Sequence, residues 1–249
     1  MAVNVSYRGF LGNNMFQYCY GRIIAEKLKT SLFANQINGF VNTGNVCVDS
    51  NYNCAGSFIV PKYGIHPNTI VNEHSNTNIA VYGWYQKYDF YRDYADVIKN
   101  GWMFVEPLCG ISQNDVVMHI RLGDYNKLGW HLPISYYEDC LQNMQYVKLW
   151  ICTDEPKHAM IEHFVNKWNA TIVSTDRISD LRFMMAFDKI VMSRSTYSWW
   201  AAFLSNASDI CFPNPDVGFW SDSDQDHALF VNDQQRFRKV PCTITHACT

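Results

Sequence analysis

The stretch Val117-Met118-His119-Ile120-Arg121-Leu122-Gly123-Asp124-Tyr125 decides the fold class. It reads as a buried strand that stops abruptly and delivers His119, Arg121 and Asp124 to one place. In open α/β sheets, ligands bind just beyond the carboxyl ends of the strands. Arginine suits phosphate because its planar fork donates two parallel hydrogen bonds. The segment alone leaves two readings open: an anion site, with a diphosphate as the anion, or an ordinary salt-bridged strand end.

Working outward, the residues after this strand alternate regularly. A helix is predicted over 135–144 after Pro133, then a strand at 147–152 and a helix over 156–168. A strand at 170–173, a helix over 178–187, a strand at 189–192, a helix over 196–204 and a strand at 209–212 follow. Strands alternating with helices imply βαβ units, a parallel sheet and right-handed crossovers. The tail after Trp220 carries no readable pattern. A polar turn at 110–114 marks a boundary, dividing the chain into lobes 1–112 and 113–249.

The first lobe opens with a short alternating strand at 3–7, a glycine-bearing turn (Arg8-Gly9-Phe10-Leu11-Gly12-Asn13) and a helix over 14–29. Strand, glycine turn and helix present backbone N–H groups to a ligand, or simply make a tight turn. A second strand is predicted at 32–34. Residues 35–78, rich in Asn, Gly and Thr, are expected to form long loops. Residues 81–94 are densely aromatic and read either as packing or as a sugar-stacking platform.

Composition narrows the classes. With 249 residues, 48% hydrophobic and 17% charged, the chain is globular with a substantial core. A net charge of −3 without a block of like charges gives no sign of a nucleic-acid partner. No apolar run approaches the ~20 residues of a membrane span, and the N-terminus lacks a signal-peptide pattern. The expectation is a soluble, cytoplasmic chain.

The nine cysteines show no CxxC spacing. Cys19, Cys140, Cys152 and Cys211 read as buried thiols. The pairs Cys47/Cys54 and Cys242/Cys248 have the reach to bridge, but nothing signals secretion, so reduced thiols are the reading. Sequons begin at Asn4, Asn169 and Asn206.

Three strand ends carry chemistry: His119/Arg121/Asp124, Thr153/Asp154, and Ser193-Arg194-Ser195-Thr196-Tyr197-Ser198. The last precedes a helix, where N–H groups, hydroxyls and the dipole favour phosphate. A plain N-cap at Ser195 or Thr196 is compatible with that use. Three such ends in one parallel sheet make a nucleotide crevice. No DxD stands at a strand end; Asp222 and Asp224 have the spacing but lie in the tail. HExxH, CxxC and GxSxG motifs are absent too. No metal and no cofactor are expected. The site must then stabilise a leaving diphosphate with arginine and N–H donors.

The order of these segments resembles glycosyltransferase family 11, the α-1,2-fucosyltransferases, and more loosely the GDP-fucose-dependent superfamily. Residues 9–22, Gly-Phe-Leu-Gly-Asn-Asn-Met-Phe-Gln-Tyr-Cys-Tyr-Gly-Arg, resemble that family's N-terminal GGLGNQMFQYAYGR. Residues 83–90 are similar to its aromatic GYWQS-KYF stretch, and 119–125 match H-x-R-R-G-D-Y at all but one defined position. Residues 132–137 resemble LPxxYY; Asp180-Leu181 with 195–202 resemble DL…SSFSWWGA. The likeness runs from about residue 4 to 215.

The resemblance implies a GT-B-type α/β fold: two Rossmann-like lobes with parallel sheets, the N-terminal lobe on the acceptor side. The donor site is expected on the C-terminal lobe, facing the cleft. It implies metal-independent, inverting transfer of fucose from GDP-β-L-fucose, as donor substrate, to a glycan acceptor, in glycan biosynthesis or protein glycosylation. The 2-hydroxyl of a galactose-like sugar is the implied acceptor. Arg121 is then expected to hold the diphosphate, Gly12 and Asn13 to approach it from the first lobe, and Asp154 to belong to the donor site. Ser195, Thr196 and Tyr197 contact phosphate in this reading, Ser198 belongs to the donor site beside them, and His119 and Asp180 lie near the guanine. Asp124 is either the base for the acceptor hydroxyl or the partner that orients Arg121. Two departures stand out: Leu122 replaces the second arginine, and Asn14 replaces a glutamine. Rival readings are transfer of another nucleotide sugar, such as rhamnose or xylose, and a non-catalytic glycan- or nucleotide-binding module. A soluble microbial or viral enzyme, or one catalytic domain of a longer protein, fits the length.

Overall fold

The computed structural model describes residues 1–48, 57–62 and 64–244. Cys54 and Cys248, named above as bridging candidates, lie outside that range; the seven described cysteines are free thiols, and Cys19, Cys140, Cys152 and Cys211 are buried. The chain divides into two units. One comprises Met1–Val105 with Gln225–Leu229; the other comprises Glu106–Asp224 and the residues from Phe230 on.

The first unit is a four-stranded sheet with helices. Its elements are β1 (Ala2–Val5), α1 (Leu11–Lys27), β2 (Ser31–Phe33), β3 (Phe58–Ile59), α2 (Pro67–Glu73) and β4 (Asn78–Val81). The strand order is β2-β1-β4-β3 and every pair is parallel. Helix α1 lies close on the sheet because Gly21 has no side chain: a Cβ there would come within 2.6 Å of Val5 Cγ2. This helix begins at Leu11, three residues earlier than the sequence indicates. Gly9 makes the turn at φ +73° and Phe10 is the extended N-cap, so Gly12 and Asn13 occupy the first helical turn and not a loop.

Two 3-10 turns (Tyr88–Phe90 and Arg92–Tyr94), a single α-turn α3 (Ala95–Val97) and a π-turn (Ile98–Trp102) close the unit. The aromatic stretch is mainly packing: Tyr85, Tyr88, Phe90 and Tyr91 are buried. Tyr20 stacks on Tyr85 at 3.9 Å, and the Tyr91 hydroxyl donates to the Tyr85 carbonyl at 2.6 Å. The stack adds ring contact, and the hydrogen bond satisfies a polar tip that burial would otherwise penalise.

The second unit contains β5 (Val116–Ile120), α4 (Gly123–Leu128), α5 (Ile134–Gln142), β6 (Leu149–Thr153), α6 (Ala159–Trp168) and β7 (Thr171–Val173). Then come α7 (Arg177–Met185), β8 (Lys189–Val191), α8 (Thr196–Leu204), β9 (Asp209–Pro215) and β10 (Phe237–Cys242). The six strands are all parallel, in the order β10-β9-β8-β5-β6-β7. The chain is therefore α/β with two parallel sheets, as expected. Strand β5 is buried at all five positions, the mark of a parallel strand covered on both faces.

Two features of this unit escape sequence reasoning. The short helix α4 starts immediately after the strand end. The unpatterned tail supplies β10, which pairs with β9 from Phe237↔Ile210 to Cys242↔Pro215.

Candidate functional site

In the second sheet β8, β5 and β6 are neighbours, so their carboxyl ends open side by side. Arg121 follows β5 directly. Its Nη2 lies 2.6 Å from Asp124 Oδ1 and its Nη1 lies 2.6 Å from Asp154 Oδ2, just past β6. The other Asp154 oxygen accepts the Leu122 N–H at 2.9 Å. Gly123 permits this: a Cβ there would sit 2.6 Å from Asp154 Oδ2. The strand stops abruptly because α4 begins at a glycine pressed against a carboxylate. One positive and two negative side chains thus share the β5–β6 end.

Leu122 is fully buried in the core with Leu132, Tyr136 and Tyr137. The position at which this chain departs from the resembled motif therefore serves the interior.

At the β8 end, serines build the turn into α8. Ser195 Oγ accepts the Tyr197 N–H at 3.3 Å and caps the helix. The Ser198 hydroxyl is buried and donates to the Ser193 and Ser195 carbonyls, both at 3.0 Å, so it holds the turn. Ser193 Oγ lies 2.6 Å from His119 Nδ1. Burial pushes the His119 pKa down to about 4, with Arg121 adding to the effect and Asp154 opposing it, so the ring is neutral.

The His119 ring lies 5.4 Å from the Tyr197 ring, centre to centre. The Tyr197 hydroxyl donates to the Arg177 carbonyl at the start of α7. Burial first, and the Asp180 charge next, raise the Tyr197 pKa, which makes its hydroxyl a donor at neutral pH. Asp180 Oδ1 accepts the Thr175 N–H at 3.0 Å and the Thr175 hydroxyl at 2.7 Å. His119 and Tyr197 thus meet at these strand ends, with the Asp180 charge acting on Tyr197 and Thr196 opening α8. The Arg121 and Asp154 charges act on the His119 ring as well.

Gly12 and Asn13 belong to the first unit. Asn13 Oδ1 accepts from Gln86 Nε2 at 3.0 Å. The Arg8 guanidinium lies 4.7 Å from the Tyr82 ring and 5.1 Å from the Trp84 ring. Buried Gln17 ties this turn together: it accepts the Arg8 N–H at 2.9 Å and donates to the Gly83 carbonyl at 2.8 Å. A lone glutamine inside the apolar run 15–20 was the available signal. In the tail, Asp222 pairs with Lys239 and Asn214, and Asp224 accepts the Trp220 N–H, so the DxD-like spacing serves local structure.

A cluster of which the motifs brought forward only Tyr125 stands beside Arg121. Tyr125, Trp130 and Phe219 meet edge to face, with centres 5.7, 6.3 and 5.5 Å apart, and Arg194 lies against Phe219. The sequence signal was the charge in Ser193-Arg194-Ser195; the rings come from helix α4, the turn just after it and the segment after β9.

No family model matches the chain. The O-antigen biosynthesis glycosyltransferase WbnK of Escherichia coli is 28% identical over 118 residues, which cover 42% of this chain and 39% of WbnK. The chain thus matches well under half the length of that relative. In fold it is similar to the crystal structure of POFUT1 in complex with GDP-fucose, at 10% identity and a TM-score of 0.46, over 83% of this chain and 94% of that one. No helix among the described residues is long and apolar enough to cross a membrane.

Proposed function

We propose that the chain is a glycosyltransferase that moves L-fucose from GDP-β-L-fucose to a glycan hydroxyl, with inversion and without a metal. One observation carries this reading. Three adjacent parallel strand ends bring Arg121, the Ser195-capped start of α8, and the His119/Tyr197/Asp180 group to one edge of one sheet. That edge is where α/β sheets bind nucleotides, and its donors match a diphosphate. The relative WbnK, a glycosyltransferase by name, supports the sugar-transfer class. The fucose donor and the 2-hydroxyl of a galactose-like acceptor rest on the motifs at 9–22, 119–125 and 195–202.

In this reading, transfer passes through an oxocarbenium-like state as the GDP leaves. Arg121 and the α8 N-terminus stabilise the charge that develops on the diphosphate. The Asp180 carboxylate faces the N1–H and N2–H donors of guanine, and neutral His119 packs beside it. Asp124, 2.6 Å from Arg121, is a positioning residue that aims the guanidinium. A thermal-shift panel of GDP-fucose, GDP-mannose, UDP-xylose and GDP tests the donor. Stabilisation by GDP and GDP-fucose, and less by UDP-xylose, is expected. No shift with any guanine nucleotide would remove the assignment.

A further inference from the structure

Among the described residues, the buried cation without an acidic partner is Arg194. It sits between Ser193 and Ser195, with only 3% of its surface exposed. Its Nη2 donates to the Trp130 carbonyl at 3.0 Å, and its guanidinium carbon lies 4.0 Å from the centre of the Phe219 ring. Its Nε has no partner, and no carboxylate of the described residues pairs with it. Two further buried polar atoms, Tyr137 Oη and His131 Nδ1, are also without partners. Both feel the Arg194 charge: it opposes the burial that raises the Tyr137 pKa and adds to the burial that lowers that of His131. A buried charged group left with an unpaired donor marks a place a ligand can complete.

The cover over Arg194 is aromatic and partly exposed. Trp130 is 42% exposed, and each outer ring follows a left-handed glycine, Gly129 at φ +65° and Gly218 at φ +80°. Charge balance points the same way. Arg121 is matched by two carboxylates, whereas Arg194 is matched by none, so an anion arriving at this edge is drawn toward Arg194.

We propose that Arg194, covered by Trp130 and Phe219, is a second diphosphate-binding residue of the donor site. This rests on the nucleotide-sugar reading above. A planar guanidinium donating two hydrogen bonds to the distal phosphate stabilises the leaving group that Arg121, shared with Asp124 and Asp154, neutralises only in part.

Calorimetric binding of GDP, GMP, guanosine and inorganic pyrophosphate to the wild type, Arg194→Met and Arg194→Lys tests it. In Arg194→Met, GDP and pyrophosphate affinity should fall by about 10- to 100-fold while guanosine affinity holds, as for loss of a charge-assisted contact. Arg194→Lys should recover only part of the loss. The ligand-free Tm of Arg194→Met should equal or exceed that of the wild type, because an unpaired buried charge has gone. GDP binding within about threefold of wild type, together with a lowered Tm, would make Arg194 a structural residue and overturn the proposal. A wild type that binds pyrophosphate through Arg194 but no guanine compound would refute the GDP reading and leave the anion pocket standing. A wild type that binds neither overturns both.

Discussion

The two ends of helix α8 are built from the same materials and finished differently. At the C-terminal end the Arg236 guanidinium donates to the carbonyls of Ala202, Phe203, Ser205 and Ala207 at 3.0–3.3 Å. Ala202, Phe203 and Ser205 belong to the last turn and the cap, where carbonyls lose their intrahelical donors, and Ala207 lies just beyond; a cation there also complements the dipole. At the N-terminal end the serines satisfy one another, while Arg194 keeps an unpaired Nε and no acid. An arginine whose donors are spent on carbonyls is scaffold. A buried arginine with an unpaired Nε, beside the positive end of a helix, is the residue proposed above to bind an anion.

The largest expected effect lies with Arg121. Arg121→Ala should lower sugar transfer by about 10³-fold or more while the thermal midpoint barely moves. A radiolabelled-donor assay beside a melting curve checks this, and near-normal transfer would move the site away from the β5 end. Arg236→Met attacks the closed end of α8. It should cost about 2–4 kcal/mol of stability and leave turnover per folded molecule intact. Urea unfolding with an activity titration reads both, and a selective loss of activity would erase the contrast between the helix ends.

His119 yields a pH prediction. Its folded pKa of about 4 lies below the ordinary 6.5, so the unfolded chain takes up a proton that the folded one refuses. Its contribution is therefore complete above about pH 6.5 and is lost as pH falls toward 4. Between neutral pH and about pH 5 it should remove about 2 kcal/mol, a slope that His119→Asn abolishes in denaturant titrations. Asp124→Asn should lower transfer by about tenfold, as for a mis-aimed Arg121; a loss of ~10² or more at unchanged donor affinity would restore it as the base. The smallest effect is Ser195→Ala, which removes the cap and should cost about 1 kcal/mol, seen as a modest fall in Tm.

Much of the fold was legible because its signals are local. The alternation after residue 116 gave the parallel sheet, and the limits of α8 match the structure. The start of α1 was misplaced because Gly9 alone makes the turn, which leaves Gly12 free to be helical. Of the candidate site, the motifs brought forward Arg121, Asp124, Asp180 and the serine turn, and the polar strand end brought forward Asp154. Arg194 was in view between two serines and passed over, since nothing near it in sequence shows that it is buried without an acid.

By itself, then, the sequence determined the α/β class, the strand ends that carry polar residues, and the chemistry available there. Periodicity, turn residues and side-chain type are properties of short segments. Only the tertiary structure decided that Leu122 faces the core, that Arg121 is divided between Asp124 and Asp154, and that the tail returns as β10. It also decided that Trp130 and Phe219 lie over Arg194. Those outcomes depend on which strands pair and which loops meet across them. Burial and charge partnership arise from that pairing, and no local pattern encodes it.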